Sequence, residues 1–327
     1  MIITRRLLGA LAFGATAALA APAMAQNFPN QTISMVIPFG AGGPTDIVGR
    51  MLAEAMGRDL GHPVVVQNVG GGGGTIGVQR VVQARNDGYT ILYTNIGLAT
   101  QPTLYRRLGY NPQTDLEPFG LVTATPMVIT VRPNFPGQTL ADFVAFARER
   151  RDAVNLANVG LGSASQLCGT LLQAQLGINF TPVAFTGSGG VFPDLMAGRL
   201  DVYCDQTTSS LPFVREGRIR GLAMTTATRL PQAPEIPTAA EAGLPGFEVS
   251  IWHGMYAPRG TPAPVLQRLN QALRTAVQDP AVVARLNDLA SPPEPLSRVT
   301  PEAHRAHLAA EIARWRPILE AAGQFAD

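Results

Sequence analysis

Short unbroken apolar runs alternate along the chain with longer stretches at helical spacing, the pattern of a parallel α/β protein. Ile33, Met35, Val36 and Ile37 form one such run, closed by Pro38, and read as an inner strand covered on both faces. From Asp46 onward Ile47, Val48, Met51, Leu52, Ala55, Met56 and Leu60 recur at helical period, with Gly61 as the stop. This predicts a helix starting near Thr45 or Asp46. The intervening Phe39-Gly40-Ala41-Gly42-Gly43-Pro44-Thr45 is nearly all backbone, so its amides lie uncovered beside a helix N-terminus, where the dipole favours an anion. The same spacing also fits a plain strand-to-helix turn with Asp46 as its cap.

The alternation continues. Strands are predicted over 63–69 and 89–93, a helix over 75–85, and a polar loop over 94–101. After Pro126 a strand over 127–131 and a helix over 140–150 mark a crossing into a second lobe. There a strand over 154–159, a small-residue loop over 160–165 and a helix over 166–176 follow, with Ser163 or Ser165 near the cap. Next come a strand over 181–185, a loop over 186–190, a helix over 191–197, and a strand over 201–204 that ends in the polar stretch 205–210. A strand over 220–225 leads into a Pro- and Ala-rich connection over 229–246, and the strand over 249–256 returns to the first lobe. Helices over 262–277, 280–289 and 301–322 each open on Pro, which suits a helix start. The expected architecture is therefore two discontinuous lobes, 26–125 with 248–327 and 126–247, with a cleft between them.

Arg5 and Arg6 precede an apolar stretch from Leu7 to Ala20, and Ala23-Met24-Ala25 supplies the small residues of a cleavage site. Residues 1–25 read as a signal peptide, placing a mature chain from Gln26 in the periplasm. Thr4-Arg5-Arg6-Leu7-Leu8 also resembles a twin-arginine signal. Charged residues make up only 15% of the 327 and the net charge is +2, which leaves no electrostatic footprint for nucleic acid. Every basic residue is Arg, so Schiff-base chemistry and a P-loop lysine are excluded. Cys168 and Cys204 are the two cysteines; oxidising export favours a disulfide between them at the cleft edge of the second lobe, the alternative being two buried thiols.

Rival chemistries find weaker support. Gly72, Gly74 and Gly77 satisfy a dinucleotide fingerprint after a strand, but Asp87 falls in a turn before the next strand and not at its end. The glycines read instead as a loop that lets two backbones approach. Leu161 and Thr186 occupy the first glycine position of a hydrolase elbow around Ser163 and Ser188. His62, His253, His304 and His307 are scattered. His304 and His307 lie with Glu302 and Arg305 on what reads as a solvated face, and His253 reads as a packed residue on the returning strand. No metal or cofactor is expected.

PFGAGGPTD, LYRRLGYNPQTDLEPFGLV, GLGSASQL, PTAAEAGLPGFEVSIWHGMYAPRGTP and TPEAHRAHLAAEIARWRPIL, in this order, resemble the periplasmic solute-binding proteins of tripartite tricarboxylate transporters, the Bug-type family. The resemblance implies a type II periplasmic binding fold, a small organic carboxylate ligand, delivery to integral-membrane permease subunits, and no catalysis. A monomer is expected. An exported α/β oxidoreductase or hydrolase acting on a small acid is the alternative, separated from a binding protein by turnover. Family members commonly carry His where this chain has Gln166, and Tyr-Lys where it has Phe185-Thr186, so the family's distal ligand contacts do not transfer directly.

The loops FGAGGPTD, NIGLATQ, GLGSASQ, FTGSGG and DQTTSS contain no Arg, so an anion here must be held by main-chain N–H groups, hydroxyls and helix dipoles. Gly42, Gly43, Pro44 and Thr45 are the candidates to hold one carboxylate, with Asp46 orienting the loop by capping. Ser163, Ser165, Gly187, Ser188 and Asp205 would meet the ligand from the other lobe, with Phe39 and Phe185 as apolar walls.

Overall fold

A computed structural model describes residues 28–326; residues 1–25, expected to be a signal peptide, and Gln26 lie outside the described residues. The strands are β1 (Ile33–Ile37), β2 (Val64–Asn68), β3 (Thr90–Asn95), β4 (Leu116–Val131), β5 (Asn155–Asn158), β6 (Thr181–Ala184), β7 (Val202–Gln206), β8 (Arg220–Met224) and β9 (Ser250–Pro258). The helices are α1 (Pro44–Leu60), α2 (Thr75–Val82), α3 (Gly97–Leu104), α4 (Leu140–Arg150), α5 (Ala164–Leu176), α6 (Ser188–Met196), α7 (Thr207–Arg215), α8 (Ala263–Ala276), α9 (Pro280–Asp288) and α10 (Pro301–Ala322).

One strand joins two sheets of the same plan. The first sheet runs β2-β1-β3-β9-β4 and the second β6-β5-β7-β4-β8. In each, three parallel strands are followed by two more joined through successive antiparallel pairings. β4 pairs with β9 up to Pro126 and with β7 from Met127, so a single strand carries the chain from lobe to lobe. The sequence places the start of this strand at Met127, after Pro126, whereas it runs back through Pro126 and Pro118 to Leu116. Both prolines are tolerated for a positional reason. The first half of β4 is the edge of its sheet, with a register shift just after Pro118, and Pro126 stands where the partner changes.

Two stretches expected to be loops are helical. Residues 97–104 form α3, where Asn95 Oδ1 accepts from Gly97 N at 3.0 Å and Leu98 and Ala99 are buried. Gly97 and Pro102 hid this helix from periodicity. Thr207 to Ser210, expected as a polar strand end, are the first turn of α7.

The first sheet is covered on one face by α1, α8 and α9, whose Val48, Leu52, Leu269 and Leu286 share one buried core with Ile37 and Ile91. The opposite face carries α3 and α10. In the second lobe Phe143, Leu167 and Leu172 from α4 and α5 cover one face, and Val191 and Leu195 from α6 the other. α10 starts at Thr300, whose Oγ1 accepts from Ala303 N at 3.1 Å. Its His304 is not solvated as the sequence suggested. It is fully buried against Trp252 and Tyr256, with Nε2 at 2.7 Å from the Tyr256 hydroxyl. Gly254 makes room for it, since a Cβ there would lie 2.2 Å from His304 Cε1. Glu311 Oε2 accepts from Trp252 Nε1 at 3.0 Å and from Trp315 Nε1 at 3.1 Å, pinning α10 to β9. Among the described residues no helix is long and apolar enough to cross a membrane.

Candidate functional site

The helices α1, α3, α5, α6 and α7 each begin within a few residues of a strand end, and their N-termini face the junction of the lobes, where ligands sit in such sheets. The lobes meet there through glycine. Gly40 N donates to Thr186 O at 3.3 Å. A Cβ on Gly187 would lie 2.8 Å from Gly40 Cα, one on Gly189 2.8 Å from Ala41 O, and one on Gly73 1.8 Å from Leu161 O. Gly77 is pressed against Pro38, 2.7 Å from its Cα by the same measure. Gly77 of the dinucleotide-like motif is thus consumed in packing, its neighbour Gly73 meets the other lobe, and the cleft is shut along a seam of backbone.

In the first lobe Asp46 is not the helix cap. Gly43 holds the N-cap position with no side-chain bond, and Asp46 Oδ2 reaches back to accept from Gly42 N at 2.9 Å. Its carboxylate also accepts from Arg50 Nε at 3.0 Å and Asn68 Nδ2 at 2.9 Å. Burial raises the Asp46 carboxyl pKa, but the bonds from Arg50, Gly42 and Asn68 outweigh it and hold the pKa below its ordinary value. The amide of Gly42, expected to meet the ligand, therefore serves Asp46, and the positive φ of 75° at Gly42 turns the loop for it.

Thr45 is buried, its Oγ1 3.3 Å from Asn95 Nδ2 and 3.4 Å from His253 Nε2. His253 stands opposite Asn95 in β3 and Thr123 in β4, stacks on Tyr93, and has Nδ1 3.2 Å from Thr123 Oγ1. A hydrogen-bonded chain thus runs from the first turn of α1 to the crossing strand. His253 is packed, as the sequence suggested, yet it also positions Thr45. Asn95 and Thr100 belong to NIGLATQ, one of the loops the sequence offers for the anion, though neither is among the site residues named from sequence. Their place at the end of β3 was the available signal. Thr100 Oγ1 donates toward Gly97 O at 2.9 Å, with Gly162 O of the second lobe at 3.2 Å.

In the second lobe Ser163 caps α5, its Oγ accepting from Gln166 N at 3.3 Å. Ser165 Oγ accepts from Val159 N at 3.1 Å and lies 3.3 Å from Ser163 Oγ. Ser188 Oγ is 2.7 Å from the Tyr203 hydroxyl. Asp205 is fully enclosed and accepts from Ser209 Oγ at 2.5 Å. Phe39 is nearly buried beside Gly74, whereas Phe185 is half-buried and packs on the Val191 and Phe192 cluster of its own lobe. Cys168 and Cys204 form a disulfide with Cα atoms 6.1 Å apart, tying α5 to β7.

These burials fix a pH response. Burial drives His253 down to about 3 and holds His304 well below its usual value. For His253 the unfolded chain binds more protons between about 3 and 6.5, so stability falls as pH drops through that window. Burial pushes Asp205 up to about 7, against its hydrogen bonds, which has the opposite sign: stability falls as pH rises from about 4 to 7. Asp205→Asn keeps an oxygen for Ser209 and removes this second contribution. Its melting temperature should fall more steeply than that of the native chain on acidification from about pH 6.5 to 4.5. Equal slopes would contradict a protonated, buried Asp205.

Comparison with known proteins adds relationship to geometry. Residues 48–324 match the family described as tripartite tricarboxylate transporter family receptor. The chain is 41% identical to the periplasmic binding protein BugD, covering 91% of this chain and 99% of that one, with a TM-score of 0.89. It is 37% identical to MatC of Rhodopseudomonas palustris with bound malate, covering 89% and 99%, with a TM-score of 0.85. A second R. palustris protein, solved with adipate, is 32% identical over 90% of this chain and 98% of that one, with a TM-score of 0.85.

Proposed function

The chain belongs to the tripartite tricarboxylate transporter receptor family, and we propose that it captures a small organic carboxylate between its lobes and hands it to a membrane permease. The observation that carries this reading is the shut glycine seam. Beside it lie the N-termini of α1, α5, α6 and α7, with Thr45, Asn95, Ser163 and Ser188 as short polar side chains. Relatives of the same architecture hold malate and adipate.

In this reading one carboxylate meets first-turn N–H groups at Gly43 and Thr45 and the Thr45 hydroxyl, with Pro44 giving shape because it has no donor. Gly42 and Asp46 build the loop and stay off the anion. Ser163, Ser165, Gly187, Ser188 and Asp205 line the second lobe's side, and Phe39 supplies apolar wall. The Arg50 guanidinium is paired with Asp46, so helix dipoles and neutral donors carry the charge. Losing the Thr45 donor in Thr45→Val should cost about 1.5 to 3 kcal/mol of binding.

Two subsidiary proposals complete the reading. The protein works as a monomer, and it reaches the periplasm by cleavage before Gln26, which mass spectrometry of periplasmic extract would detect as a chain starting there. The function itself is tested by a thermal-shift screen of mono-, di- and tricarboxylates and aromatic acids. A ligand at about 100 times its Kd should add about 2.7 kcal/mol of stability. A flat response to every acid at millimolar concentration would sink the proposal.

A further inference from the structure

After α10 the backbone turns at Gly323, with φ of 64°, and runs back over the rim of the cleft. Ala326 pairs beside Tyr105: its N–H donates to Leu104 O at 2.8 Å and its carbonyl accepts from Arg106 N at 2.9 Å. This anchors the tail to the first lobe and carries Gln324 to the second, where its Oε1 accepts from Gln166 Nε2 at 2.6 Å. Gln166 is held from its other side, with Oε1 accepting from Gly162 N at 3.1 Å and Nε2 also donating to Thr170 Oγ1 at 2.8 Å.

Tyr105 makes a second bridge. Its hydroxyl lies 2.7 Å from Gly72 O in the first lobe and 2.9 Å from Leu161 O in the second. Leu161 O is the atom against which Gly73 is pressed, so this bridge stands at the tightest point of the seam. The tail is fixed to its own lobe by backbone bonds, so the exposed Gln324 side chain reaches the second lobe from an anchored backbone.

We propose that Tyr105 and Gln324 form a latch across the rim that holds the lobes shut and sets how long the cleft stays closed. The latch depends on the closed cleft and not on which molecule fills it. A single neutral hydrogen bond shifts an equilibrium by about 2- to 12-fold, so Gln324 tilts the closed-to-open ratio by that factor, and Tyr105 by less, because its one proton is shared between the two carbonyls and stays with Gly72 O when the lobes part.

The test uses the full chain without added ligand. The Gly40 amide donates to Thr186 across the other part of the seam, so its hydrogen exchange reports opening at a distance from the latch. Gln324→Ala should speed Gly40 exchange by about 2- to 12-fold, Tyr105→Phe by less, and the double variant by more than either, with β1 amides unchanged. Unaltered Gly40 exchange in the double variant would overturn the latch. So would equal acceleration in β1, which would assign both side chains to global stability. Because no ligand enters, this outcome is separate from success or failure of the carboxylate screen.

Discussion

Gly187→Ala should weaken carboxylate binding by about 5- to 150-fold while leaving both lobes folded. Gly187 is extended, with φ of −176°, so a methyl there brings no backbone strain. The methyl would instead stand 2.8 Å from Gly40 Cα and 3.0 Å from Gly40 N, on the opposite lobe. Overpacking of this kind costs about 1 to 3 kcal/mol, and it falls only on the closed state because the two loops separate on opening. Apparent affinity drops with the closed fraction. Gly190→Ala is the control: its methyl meets Phe185 Cδ1 at 3.4 Å, an ordinary contact within one lobe. Calorimetry with the acid found by screening measures both. Equal affinity for Gly187→Ala and the native chain would show that the ligand does not need these loops in contact.

Removing the Cys168–Cys204 bond should have the larger effect on stability. The bond closes a loop of 36 residues in sequence and joins α5 to β7 in the core of the second lobe, where both sulfurs are enclosed. Constraint of the unfolded chain over that length contributes about 3 to 4 kcal/mol. Cys168→Ala/Cys204→Ala should therefore unfold at markedly lower temperature, by about 2 to 4 °C per kcal/mol lost. Thermal denaturation with and without reductant checks it: the native chain should fall to nearly the level of the double variant on reduction, and the variant should not respond. A native chain indifferent to reductant would contradict the assignment.

The order of strands and helices was legible because each element carries its own period, as the Ile33–Ile37 run and the α1 stripe show. What periodicity could not reach were elements whose signals depend on neighbours. The first half of β4 contains two prolines and is admissible only because it lies at a sheet edge, a fact about β9 rather than about β4. α3 opens on Gly and contains Pro102, and is held by the Asn95 side chain and by α10. His304 reads as solvated from Glu302 and Arg305 beside it, whereas its surroundings come from Trp252 and Tyr256, about fifty residues away.

The candidate site divides in the same way. Glycine and serine loops at strand ends announce themselves by composition, which left Ser163 or Ser165 as the α5 cap; the structure gives the position to Ser163. Partnerships do not. That Gly42 serves Asp46, or that Thr45 is held between Asn95 and His253, requires strands distant in sequence to lie side by side. Gln166 shows the limit most clearly. Its departure from the residue common in the family was visible, but its bond to Gln324 was not.

A calorimetric titration of the purified chain with the best acid from the screen, followed by chemical analysis of that acid after release, addresses the central claim most directly. The expected result is saturable one-to-one binding, weakened in Thr45→Val, with the acid recovered unchanged. An acid recovered in altered form, or heats that show no saturable binding, would contradict a carrier that holds its ligand between closing lobes.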